Sequence, residues 1–152
     1  MNPIALTNGR LIDGSEKPPL FPATLLTDGA VVAAAGPARK ISLPEGCSVI
    51  DLQGRTILPG LIDGHMHVTG MPGLLDAAAN LRNQLRASEI LRECLLWGTT
   101  TVGHAGGCEE NLVLRDMIDK GTLKQRARLV VSGVVTATGG HVRGEGADVP
   151  WE

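Results

Sequence analysis

In the run Thr56-Ile57-Leu58-Pro59-Gly60-Leu61-Ile62-Asp63-Gly64-His65-Met66-His67, a mostly apolar segment leads into an Asp-Gly step and two histidines one residue apart. Thr56 to Ile62 reads as a buried β-strand, with the histidines leaving its C-terminal end. Alternate residues along an extended chain point to one side, so His65 and His67 are expected to project into the same space. Two imidazoles held that way can each give one nitrogen to a divalent ion, at about 2.0–2.1 Å for zinc.

Beyond this strand the hydrophobic period changes. Ser88 to Gly98 places Ile90, Leu91, Cys94 and Leu95 on one helical face, with Ser88 as N-cap and Gly98 as stop. Thr99 to Val102 reads as the next strand. Glu109 to Lys120 reads as a second helix, acidic at its start and basic at its end, with Leu114, Met117 and Ile118 as its buried stripe and Gly121 as its stop. Arg128 to Val135 gives a third strand. Strand, helix, strand, helix, strand is the order of a parallel barrel or a doubly wound sheet. In such folds chemistry collects at the C-terminal ends of the strands, where His65, His67, His104 and His141 all fall.

Upstream, from Pro3 to about Gly54, short apolar runs are broken by Asn8-Gly9, Asp13-Gly14, Asp28-Gly29, Gly36-Pro37 and Glu45-Gly46. These pairs favour hairpins and tight turns, because Gly and Asn tolerate positive φ. The strands between them are expected at Ile4–Thr7, Ala23–Thr27, Val31–Ala35 and Ser48–Leu52.

With 43% apolar residues, 20% charged and a net charge of −2, the chain is a globular protein with no basic surface for nucleic acid or an anionic membrane. Its three cysteines, Cys47, Cys94 and Cys108, are odd in number and lack C-x-x-C spacing, so no disulfide framework is expected and a cytoplasmic location is the default. The first residues carry no basic segment and read as no secretory signal. No apolar run approaches the roughly 20 residues of a membrane span. Nucleophile elbow, P-loop and dinucleotide fingerprint are all absent.

Leu58 to His67 closely resembles the first-strand motif of the metal-dependent amidohydrolase superfamily. Gly98-Thr99-Thr100-Thr101-Val102 and Thr138-Gly139-Gly140-His141 are similar to the second and third strand ends of its imidazolonepropionase and Xaa-Pro dipeptidase-like branch. The resemblance implies an α/β fold: residues 1–56 as part of a small β-sandwich, and residues 57–152 as the first βα units of a TIM (β/α)8 barrel. A whole barrel takes about 250 residues, with about 200 as a floor, against 152 here. The chain is therefore expected to be the N-terminal portion of such an enzyme. It lacks the later strands that in the family bring a lysine, two more histidines and an aspartate, and the open sheet edges suit self-association.

The activity implied is hydrolysis of carbon–nitrogen bonds other than peptide bonds, in a small-molecule amide or cyclic amide, with zinc as one or two divalent ions. His65 and His67 are the expected metal ligands. Asp63 either orients an imidazole through its other nitrogen or supports the turn. His104 stands where similar sequences carry an acidic residue, and it either contacts substrate or metal or caps the strand end by hydrogen bonding. His141 either binds substrate or is a turn residue, and Arg143 reads as a solvated loop residue. Two rivals accompany this expectation. One is a non-catalytic metal-binding or self-associating fragment; the other is a three-histidine zinc site of His65, His67 and His104. The substrate stays open, since specificity in such barrels lies in the loops after later strands.

Overall fold

The computed structural model describes residues 2–69, 76–107 and 109–133. It is a mixed α/β structure whose chain forms two compact units, residues 1–59 and 60–152.

In the first unit β1 (Ile4–Leu11) is the central strand. β2 (Leu20–Asp28) pairs with it antiparallel, and β3 (Val31–Pro37) follows across the expected hairpin, where Gly29 takes φ 58. β4 (Ser48–Asp51) runs parallel to Ile4–Thr7, and β5 (Thr56–Ile57) runs parallel to Arg10–Leu11. One strand can serve both partners because of Asn8-Gly9. This pair was expected to end a strand, yet it lies inside β1 as a kink, with Asn8 at φ 53. Asn8 Nδ2 donates to Asp51 Oδ1 at 3.1 Å, and a Cβ on Gly9 would stand 2.8 Å from Leu52 Cδ1. Within this unit the described strands make one five-stranded sheet, with no second facing layer of the kind a sandwich has.

The second unit alternates β6 (Leu61–Met66), α1 (Ala77–Leu96), β7 (Thr99–His104), α2 (Glu109–Asp119) and β8 (Arg128–Val131). The strands are parallel and lie in chain order, β6-β7-β8. Their core is Val68, Ala87, Leu91, Val102, Leu114, Ala127 and Leu129, with Ile90, Cys94, Leu95 and Ile118 packed against it. The helical faces read from the spacing are thus the buried ones, except that Met117 stays 37% exposed.

Two expectations need correction. Thr56 to Ile62 is not one buried strand: it breaks at Leu58-Pro59-Gly60, because Pro59 has no N–H to give to a ladder. The second half is not buried either, with Ile62 73% exposed, since β6 is an edge strand of its sheet. Nor does the first helix start at Ser88. It starts eleven residues earlier, at Ala77, capped by Asp76, whose carboxylate accepts the Ala79 N–H at 2.7 Å. Ser88 is buried inside the helix, and its hydroxyl accepts from Arg126 Nε at 3.1 Å. No helix among the described residues is long and apolar enough to cross a membrane.

Candidate metal centre

The C-terminal end of β6 is built against β7. Asp63 pairs with Val102 and Met66 with His104, so β6 carries one extra residue between these points, a bulge at Gly64-His65. The two backbones come close there: a Cβ on Gly103 would lie 2.8 Å from the Gly64 carbonyl oxygen. Asp63 Oδ1 accepts the backbone N–H of His65 at 3.0 Å. The aspartate thus holds the backbone of the bulge, and its recorded bond is to main chain rather than to an imidazole.

His65 and His67, both exposed, meet edge to face with ring centroids 5.1 Å apart. Imidazoles sharing one tetrahedral ion at about 2.0–2.1 Å per nitrogen have centroids roughly 5 Å apart, so the spacing fits a shared ion. His67 Nδ1 lies 2.8 Å from the Ala105 carbonyl oxygen. A carbonyl can only accept, so Nδ1 carries the proton and Nε2 keeps its lone pair, as metal-ligating histidines commonly do. Among the described residues no group of three or more His, Cys, Asp or Glu comes together as a metal cage. The pair supplies two nitrogens and an open shell.

His104 is 2% exposed. Its Nδ1 lies 3.2 Å from both the Val68 amide nitrogen and the Met66 carbonyl oxygen, and its Nε2 lies 3.3 Å from Thr69 Oγ1. Although its ring is only 6.2 Å from that of His67, both its nitrogens are engaged within the protein. It therefore has none to offer a three-histidine site. Burial, and after it the Asp63 carboxylate, pushes the Cys94 thiol up, which keeps it protonated and unreactive. His141, Arg143 and Cys108 lie outside the described residues. A cavity of about 520 Å³ opens between α1 and α2, lined by Leu81, Leu85, Val113 and Met117 among others, and none of the histidines lines it.

Two participants went unnoticed in the sequence. The Ala105 carbonyl has no signal, since any residue carries one. Asn111 had one: it falls on the α2 stripe with Leu114 and Ile118, and a polar residue on a buried stripe needs partners.

No family model matches the chain. The enamidase of Eubacterium barkeri is 27% identical over 99 residues, which make up 64% of this chain and 24% of that protein. A crystal structure of an amidohydrolase, 30% identical, superposes with a TM-score of 0.75 over 98% of this chain and 36% of its own. A Xaa-Pro dipeptidase with bound methionine in its active site, 25% identical, gives 0.76 over 97% and 37%. Over most of its length the chain is thus similar to proteins of the amidohydrolase superfamily. The amidohydrolase relatives are hydrolytic enzymes, and this chain spans about a quarter to just over a third of their length.

Proposed function

We propose that this chain carries the metal-binding corner of a hydrolase that cleaves carbon–nitrogen bonds other than peptide bonds in a small-molecule amide or cyclic amide, on the first strands of a (β/α)8 barrel. The observation that carries this is the His65–His67 pair, 5.1 Å apart, with His67 turned so that Nε2 is free. The sequential parallel order of β6, β7 and β8 supports the barrel, whose wall has that order. His65 and His67 would hold one divalent ion, zinc by their nitrogen chemistry. When bound, such an ion supplies a Lewis acid for the carbonyl and lowers the pKa of water toward 7. The chain's own residues do the holding: Asp63 fixes the bulge that presents His65, and Ala105 fixes the tautomer of His67. Two nitrogens do not close a four-coordinate shell, and catalysis also needs a base, so residues 1–152 alone are expected to bind metal and turn over little. His141 is retained as a substrate contact, and a reducing, cytoplasmic setting suits the free Cys47 and Cys94.

Elemental analysis of the purified chain beside a His65→Ala, His67→Ala double variant tests this. Near-stoichiometric zinc in the parent, lost in the variant, is the expected result. Equal metal in both would overturn the assignment of the pair.

A further inference from the structure

His104 is one of the few large side chains wholly buried in the second unit, and neither an open shell of two histidines nor substrate contact gives it a task there. Its surroundings supply one. His104 Nδ1 lies 3.2 Å from both the Val68 amide nitrogen and the Met66 carbonyl oxygen, the two main-chain groups that flank His67, so in either tautomer the ring holds one of them. Its Nε2 faces Thr69 Oγ1, which accepts from Asn111 Nδ2 at 3.3 Å; Asn111 Nδ2 in turn donates to Gln84 Oε1 at 3.4 Å. A chain of polar contacts thus runs from α1 through α2 to the loop after β6, and it holds the His104 ring in place.

The other end of the chain reaches His67. The Ala105 N–H donates to the Met66 carbonyl at 3.1 Å, on one side of His67, and His104 Nδ1 lies against the Val68 N–H on the other side. The Ala105 carbonyl takes the His67 ring proton itself. His104 and Ala105 therefore bracket His67 at its preceding carbonyl, its following amide and its own ring. The bracket is anchored from behind, where Ser132 donates from N (3.1 Å) and Oγ (3.3 Å) to the His104 carbonyl.

The geometry points to His104 as a positioning residue, which through Nδ1 holds the backbone on either side of His67 and so keeps His67 Nε2 aimed outward. This rests on His65 and His67 being the ligand pair, but its first readout does not. In the zinc-free chain, long-range ¹⁵N NMR should show His67 as the Nδ1–H tautomer. His104→Gln, whose amide stands near the position of Nε2, loses the polar atom between Met66 and Val68, whereas His104→Asn keeps one near Nδ1. His104→Gln should leave the His67 ring a mixture of tautomers and weaken zinc binding about 10–100-fold. His104→Asn should restore most of both. Thr69→Val, which removes the hydrogen-bond partner of Nε2 at constant shape, should act in the same direction and decides the matter where His104→Gln does not fold.

A folded His104→Gln that keeps the His67 tautomer and the zinc affinity overturns the proposal. A parent that takes up no zinc but shows His67 as Nδ1–H, with that tautomer disturbed by His104→Gln, overturns the metal assignment and leaves the positioning role standing.

Discussion

Gly64 and Gly103 face each other across the bulge that presents His65, yet they answer differently to a methyl group. A Cβ on Gly103 would lie 2.8 Å from the Gly64 oxygen and 3.1 Å from its carbon, whereas a Cβ on Gly64 would meet nothing within 4 Å. The obstacle at Gly103 is backbone, which cannot rotate aside. Gly103→Ala is therefore expected to cost about 1–3 kcal/mol by forcing the strands apart. Gly64→Ala, with no positive φ to forbid it, should be neutral or stabilising by about 0.4–1 kcal/mol through the unfolded chain. Urea denaturation of the two variants checks this, and equal destabilisation by both would contradict the close approach. From the sequence the two glycines look alike, since which of them meets a backbone depends on a register that only the paired strands define. The histidine pair was legible because adjacency along one strand brings it together; the Ala105 carbonyl, thirty-eight residues from its imidazole, was not.

The elements were legible to the extent that local chemistry decides them. Gly29 makes its hairpin, and Gly98 and Gly121 stop their helices with φ of 92 and 72, because a positive φ there is cheap for glycine alone. Ser88 misled because its N-cap chemistry was taken up by a tertiary partner. Arg126, which leads into β8, donates to Ser88 Oγ, to the Lys124 carbonyl and, at 2.9 Å, to Glu89 Oε1, so the start of β8 is tied to the middle of α1. Hydrogen bonding from Arg92, aided by the charge of Arg126, holds the Glu89 carboxyl below its ordinary value. A carboxylate whose folded pKa lies below its unfolded one adds stability above the unfolded value and loses it as pH falls through the folded one. Glu89→Gln should thus lower stability slightly at neutral pH, less so in high salt because the pair is exposed. The difference between parent and variant should vanish in acid below the normal carboxylate range. A gap that persists there would assign the effect to packing instead of charge.

At the scale of the whole molecule, the separation of two units at Pro59-Gly60 could not be read from an apolar run that continues through it. Proline and glycine end one sheet's strand and release the next, so Thr56–Ile57 and Leu61–Met66 belong to different sheets despite being nearly contiguous. The histidine pair consequently belongs wholly to the second unit. Its rings are brought together by the β6 bulge and the hydrogen bond to Ala105, both of which vanish on unfolding. An ion that binds only the folded pair stabilises it by mass action, by about 2.7 kcal/mol when free zinc is 100 times Kd. For a unit of this size that is roughly 10–20 °C in Tm. The gain should grow with the logarithm of zinc concentration and disappear in His65→Ala, His67→Ala. Calorimetry across a zinc series reads the slope directly. A Tm indifferent to zinc, in a chain that nevertheless retains the metal, would mean that the unfolded chain binds it as well and that folding does not build the site.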